Sequence, residues 1–262
     1  MDCRMDGRVA LITGSSKGLG RAMAIKFAES GAHVAICGRR EAELNDAKAE
    51  VDAAGTGNVA AITADVSKAD AIERLIDGTE SALGPVDILI NNAGHSMHGP
   101  FVDLTDEDWQ EDFDLKVFAA IRTCRRVLPG MMERKWGRII NVLNIGSKAP
   151  AAEGAPTHVS RATGLALTKV LSKEAAPHNV LVNALLVGSI ESDQKHRRWV
   201  AAGEQEPYED FLAQIAKDQS LPLGRVGEAE EFANIACFLC SDAGSYIAGT
   251  AINVDGGKSP VV

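Results

Sequence analysis

RVALITGSSKGLG, running from Arg8 to Gly20, is the stretch on which the fold turns. Its first half is a short apolar run, the pattern of a strand buried on both faces. Its second half spaces Gly14, Gly18 and Gly20 as GxxxGxG, and RAMAIKFAES (residues 21–30) follows with helical periodicity. Glycines let a backbone turn tightly and lie close to a ligand, while the amino end of a helix offers unpaired N–H groups and a partial positive charge. Strand, glycine turn and helix in this order predict a bound anion held by Gly14, Ser16, Lys17, Gly18, Leu19 and Gly20.

Working outward, six more apolar runs of strand length follow: HVAIC (33–37), NVAAIT (58–63), VDILI (86–90), GRIINVL (137–143), NVLVNALL (179–186) and AINV (251–254). Helix-period segments separate them at residues 41–54, 71–83, about 105–135, 161–176 and 228–239. Alternation of this kind predicts an α/β chain of Rossmann type: a doubly wound, mostly parallel seven-stranded sheet with helices on both faces. With 262 residues and no linker-like tract, residues 1–262 read as one dinucleotide-binding domain. The stretch of about 189–223 interrupts the rhythm with ESDQKHRRW and GEQEPYED, and is expected to form a lid or substrate segment with some helix of its own.

The formal charge of −9 argues against a nucleic-acid backbone or an anionic membrane as partner and favours a small-molecule substrate. No long uninterrupted apolar run and no signal-like start are present, so a cytoplasmic location is expected. The five cysteines are scattered and odd in number, which predicts reduced thiols; Cys237 and Cys240 share a helix face as packing residues, and no metal site is expected.

TGSSKGLG (13–20) resembles the TGxxxGxG signature of the short-chain dehydrogenase/reductase family. The likeness continues, in the family's order, through Asp65-Val66, NNAG (91–94), YIAG (246–249) and VDGG (254–257). It implies that Asp65 and Val66 flank an adenine and that the 91–94 turn, with Asn92, Ala93 and Gly94, lines the ribose side of a dinucleotide. An acidic residue at the end of the second strand would bind the adenosine ribose and repel a 2′-phosphate. Gly38 stands there, followed by Arg39 and Arg40, with Lys17 in the glycine loop, so NADP(H) is expected rather than NAD(H).

At the catalytic positions the chain departs from its family. The resemblance implies an Asn, a Ser and a Tyr-x-x-x-Lys, the Tyr giving a proton, the Lys lowering its pKa and holding the ribose, and the Ser steadying the oxyanion. The corresponding residues are Lys116, Asn144, Thr157 and Arg161. Asn144 can still donate to an oxyanion. Thr157 has no acidity near neutral pH, and Arg161 can bond a ribose but stays protonated. Lys116 is expected near Arg161, where crowding of two cations would lower its pKa and make it a possible acid. His95 and His98 follow the 91–94 turn as further substrate-side donors, and Tyr208 is the one tyrosine not absorbed by a motif. His158 is expected to point away from the site, one residue round the helix from Thr157. Ser192 stands where the family has a Thr that bonds the nicotinamide carboxamide, and keeps its hydroxyl. Trp199, Tyr208 and Phe211 suggest an apolar lid lining, with Glu191 and Asp193 at its base.

Three functions fit these residues: an NADP(H)-dependent oxidoreductase with an atypical site lacking the Tyr acid, a catalytically silent NADP(H)-binding sensor or partner subunit, and non-redox chemistry on the same scaffold. The resemblance also implies a homo-oligomer, tetramer or dimer, assembled through helices near residues 107–135 and 158–176.

Overall fold

The computed structural model describes residues 2–262, apart from the side chains of residues 193 and 194. All seven expected strands form: β1 (Val9–Ile12), β2 (His33–Gly38), β3 (Val59–Thr63), β4 (Ile88–Asn91), β5 (Gly137–Asn144), β6 (Val180–Val187) and β7 (Ala251–Val254). They make one sheet in the order β3-β2-β1-β4-β5-β6-β7, and every pairing is parallel rather than most of them.

Alternate residues of each central strand feed opposite cores, as the two-residue period of a strand requires. Ala10 and Ile12 of β1, Val34 and Ile36 of β2, and Ile88 and Ile90 of β4 face one side, packed with Met23, Phe27, Leu44 and Phe232. Leu11, Ala35 and Leu89 face the other, packed with Ile72, Leu75, Val127 and Met131. The first core is covered by α1 (Gly18–Glu29), α2 (Glu41–Ala54) and, after β6, a helix ending at Cys240; α3 (Ala69–Leu83) covers the second. Cys237 and Cys240 are packing residues of the first core.

The segment expected as one helix from about 105 to 135 divides into three pieces. α4 (Asp106–Phe113) opens with a capping box from Thr105 and Asp108, a π-helical turn spans Asp114–Phe118, and α5 (Ala119–Glu133) follows. One extra residue in such a turn rotates everything after it relative to an ideal helix, and Lys116 lies inside it. The sixth helix, α6 (Thr157–Ala175), starts at Thr157 itself.

Beyond β6 the chain makes α7 (Asp193–Ala201) and α8 (Tyr208–Asp218), then α9 (Ala229–Cys240). Ile215, Ala216, Leu221 and Val226, with Phe211 and Leu212 against them, form a small core separate from the two main ones. The helix expected within residues 189–223 takes the form of two helices, α7 and α8, and the local core is an addition that the sequence did not indicate. β1 is flanked by β2 on one side and β4 on the other, so the helices leaving them diverge and open a crevice at their carboxyl ends.

Candidate active site

A cavity of about 700 Å³ fills that crevice, a size in the usual range for a cofactor pocket. Its walls come from the glycine loop, the end of β2, residues 64–66, the 92–96 loop, the ends of β5 and β6, the start of α6 and the start of α7.

At the glycine loop, α1 begins at Gly18 with no side-chain cap from Lys17. The N–H groups of the first helical turn therefore face the cavity as anion donors. Gly18 has a φ of +54° with open space where a Cβ would stand, and a Cβ at Gly20 would collide with Gly14 O. One glycine leaves room above the loop and the other lets the loop fold on itself. Thr13 and Asn92 brace the loop against β4. Thr13 Oγ1 accepts from Asn92 N at 2.9 Å and Ala93 N at 3.0 Å, and Asn92 Nδ2 donates to Thr13 O at 2.9 Å and Gly14 O at 3.0 Å.

At the far end Lys17, Arg39 and Arg40 gather on the cavity wall. Glu43 sits among them, with Lys17 Nζ at 3.1 Å and Arg40 Nη2 at 2.6 Å, and these cations hold its carboxyl below the usual range, Arg40 first. A Cβ on Gly38 would stand 3.1 Å from Ser16 Oγ, so any side chain there would press on the Ser16 side chain of the glycine loop. Asp65 and Val66 line the cavity beside them, Asp65 Oδ1 accepting from Ser67 N at 3.0 Å.

The opposite end holds Asn144, Thr157, Arg161, His95, Gly94 and Ser192 together on the wall. Asn144 lines the cavity, and its Oδ1 is buried with no hydrogen-bond partner among the described residues. Arg161 Nη1 donates to Val142 O at 2.7 Å, and burial brings its guanidinium down to about 10 against the pull of Asp112. A Cβ on Gly94 would stand 2.5 Å from Arg161 Nη2, so the 91–94 turn lies directly over this cation.

Lys116 is not on the main cavity wall but behind Thr157, its side chain 1% exposed. Its Nζ donates to Thr157 Oγ1 at 2.8 Å and is ion-paired with Asp112 Oδ1. Thr157 Oγ1 also accepts from Met97 N at 2.9 Å and donates to Asp112 Oδ1 at 3.3 Å, while Ser160 Oγ donates to Asp112 Oδ2 at 2.5 Å. Burial lowers Lys116 to about 8, with Arg161 a lesser cause and Asp112 acting in the opposite direction. Lysine does sit near arginine as expected, yet desolvation rather than cation crowding dominates. Asp112 and Ser160 were not singled out from the sequence. An acid four residues before a lysine on one helix face was the available signal.

Two other expected residues, His98 and Tyr208, lie elsewhere, and His158 points away from the cavity as expected. His98 is off the cavity wall, its ring edge-on to His158 at 5.3 Å. His158 turns away from the cavity, its Nδ1 accepting from Ala151 N at 3.2 Å. Tyr208 packs against Trp199 and His196, both at 5.3 Å, and against Phe211 at 6.2 Å, so these lid aromatics face one another rather than the cavity. Glu191, Lys195 and Arg197 line it instead; Lys195 donates to Ile190 O and is lowered to about 8, mainly by burial. The side chain of Asp193 lies outside the described residues. No group of three or more potential metal ligands clusters among the described residues, and none of their helices is long and apolar enough to cross a membrane.

A sheet of this order, a glycine-loop anion site and the 91–94 turn define a dinucleotide-binding oxidoreductase scaffold, and comparison with known proteins narrows it. Residues 14–259 match the family model described as enoyl-(acyl carrier protein) reductase. The chain is 34% identical over 251 residues to human dehydrogenase/reductase SDR family member 4, covering 95% of this chain and 87% of that protein. L-sorbose reductase from Gluconobacter frateurii, solved with NADPH and L-sorbose, superposes with a TM-score of 0.94 at 31% identity over 100% of both chains. An NADPH-bound short-chain oxidoreductase from Pseudomonas aeruginosa PAO1, described as containing an atypical catalytic center, superposes at 0.91 with 32% identity over 99% of each chain. The chain belongs to the short-chain dehydrogenase/reductase family.

Proposed function

We propose that this protein is an NADP(H)-dependent oxidoreductase that reduces a carbonyl or related unsaturated carbon of a small molecule, with Lys116 acting through Thr157 in place of a phenolic acid. The observation that carries the reading is the 2.8 Å bond from Lys116 Nζ to Thr157 Oγ1, with the hydroxyl on the cavity wall and the ammonium behind it.

The residues present fit the cofactor. Uncapped N–H groups at Gly18, Leu19 and Gly20 receive a diphosphate, and Lys17, Arg39 and Arg40 a 2′-phosphate. Asp65 and Val66 take the adenine side, Asn92, Ala93, Gly94 and Arg161 the ribose side, and Ser192 a carboxamide. The NADPH-bound relatives support the same choice over NAD(H). When bound, this cofactor supplies the hydride.

The chain's own part is to hold the substrate oxygen and move a proton. Asn144 donates its amide N–H to the developing oxyanion, and Arg161 adds positive charge nearby. Thr157 passes its hydroxyl proton to that oxygen and regains one from Lys116, which near pH 8 can both give and take a proton. His95 borders the same space, while His98 and Tyr208 act through loop and lid packing. Residues 189–223 serve as the lid over this end of a single domain comprising residues 1–262. Exposed Phe118, Val159 and Val170, on or beside the helices the family likeness assigns to assembly, favour a homo-oligomer. Five unpaired cysteines favour the cytoplasm.

A silent, cofactor-binding role has one observation in its favour: the Thr157 hydroxyl proton points at Asp112 Oδ1. Turnover separates the two. Calorimetry should show NADPH bound far more tightly than NADH. NADPH consumption should then appear with at least one of L-sorbose, a cyclic imine or an activated alkene. In the reducing direction kcat should fall as pH rises through about 8, because the protonated amine is the donor; in the oxidising direction it should rise through the same value. Inertness toward the whole panel, with NADPH bound, would select the silent reading.

A further inference from the structure

We propose that Asp112 is a positioning residue of this site: its carboxylate keeps Lys116 charged and aimed at Thr157, and Ser160 fixes the carboxylate for that task. The inference rests on reading Lys116 as the proton source.

Asp112 is fully buried, with 0% exposure, near the end of α4 just before the π-helical turn. A carboxylate there is tolerated only when its oxygens are occupied by donors or cations. Each oxygen has a distinct set of partners. Oδ2 accepts from Ser160 Oγ at 2.5 Å; Oδ1 faces Lys116 Nζ and Thr157 Oγ1. Ser160 and Thr157 both belong to the first turn of α6, so one carboxylate joins that turn to the segment carrying Lys116. The ammonium then has two fixed directions, toward Asp112 and toward Thr157, and the second continues to the cavity wall.

The titratable groups facing Lys116 come from three elements. Asp112 stands on its own helical segment, Arg161 on α6, and His95 on the loop after β4. Asp112 is the anion among them. Without it, a buried amine beside a guanidinium would be pushed further down, and Thr157 would face an amine that carries its proton less of the time. A carboxylate that merely fastens α4 to α6 would hold the fold together but leave the amine's proton affinity to burial.

The two roles separate in lysine ε-¹³C NMR, with the Lys116 signal assigned by its loss in Lys116→Arg. In the wild-type protein that signal should titrate near pH 8. In Asp112→Asn it should titrate about one to three pH units lower, with kcat at neutral pH falling in step and NADPH affinity unchanged. Ser160→Ala, which leaves the ion pair in place, should move the signal in the same direction by less, and it carries the test if Asp112→Asn does not fold. A signal near pH 8 that stays put in every variant that folds overturns the role of Asp112 alone. A wild-type Lys116 still fully charged at about pH 10, the ordinary lysine range, overturns instead the reading of Lys116 as proton source.

Discussion

Replacing Thr157 by valine is the sharpest single test of the proposed proton path. Valine keeps the branched shape of a side chain that is 2% exposed and removes only the hydroxyl. Three contacts disappear: the 2.8 Å bond from Lys116 Nζ, the 2.9 Å bond from Met97 N and the 3.3 Å donation to Asp112. A neutral bond contributes about 1 kcal/mol net and a charge-assisted one about 1.5–3 kcal/mol. The first two are the better formed, so the variant should lose about 2–4 kcal/mol of stability, leaving a folded protein to assay. The rate effect should be larger. Lys116 would have no atom through which to reach the cavity, and removal of a positioned acid typically costs about 10²–10⁴-fold. NADPH affinity, set at the other end of the cavity, should be unchanged. Thr157→Ser, which keeps the oxygen, should stay within about tenfold of wild type, less than the loss of an acid. The assay is steady-state NADPH consumption with whichever panel substrate turns over, alongside thermal unfolding of each variant. A folded Thr157→Val protein working at the wild-type rate would refute the relay, whatever Lys116 does.

Arg39→Ala should weaken NADPH about tenfold or more while leaving NADH nearly untouched, since one charge-assisted phosphate contact contributes about 1.5–3 kcal/mol; calorimetry with both cofactors reads the difference. Gly20→Ala places a Cβ against backbone, Gly14 O and Ser15 Cα, which cannot swing aside as a side chain can. It should lower both Tm and cofactor affinity, and an unperturbed calorimetric titration would show that the loop is not packed as described. Lys116→Met alone leaves the Asp112 carboxylate buried without its cation and should cost about 3–5 kcal/mol, whereas Asp112→Leu combined with Lys116→Met should recover most of that loss. Denaturant unfolding of the two single variants and the double one measures the coupling, and additive losses would mean that the pair is not an energetic unit.

The strands could be read directly because a parallel sheet covered on both faces leaves them as contiguous apolar runs, and β1 through β7 each overlap such a run, with β2, β4, β5 and β6 ending one residue beyond it. The cofactor end was equally readable. Its residues were expected to act through backbone geometry and fixed charge, the spacing of Gly14, Gly18 and Gly20 before a helix implies the turn on its own, and the structure brings these residues onto one cavity wall. The reacting end was harder, because its chemistry depends on depth. Lys116 can be named by counting back from Pro129, but nothing in the count says that it lies behind Thr157 or that desolvation outweighs Arg161. Those facts depend on the π-helical turn at Asp114–Phe118, which has no periodicity signature. Trp199, Tyr208 and Phe211 misled for a related reason: aromatic spacing cannot distinguish a lid lining a pocket from a lid whose rings pack on one another.

The substitutions at the reacting end make chemical sense as a set and not singly. A phenol carries its own titratable proton at the cavity wall, so it needs only a neighbouring cation to tune it. On the proposed relay, Thr157 carries a proton without titrating, and the titrating group stands one hydrogen bond back, an amine out of solvent. Burying that amine lowers its pKa toward the working range, yet burial beside Arg161 and without an anion would lower it too far. Asp112 opposes that drift, with its other oxygen held by the Ser160 hydroxyl. Restoring tyrosine at 157 alone should therefore not give an ordinary reductase. The ring would have to displace the hydroxyl that joins Lys116, Met97 and Asp112, leaving two buried charges to rearrange around it.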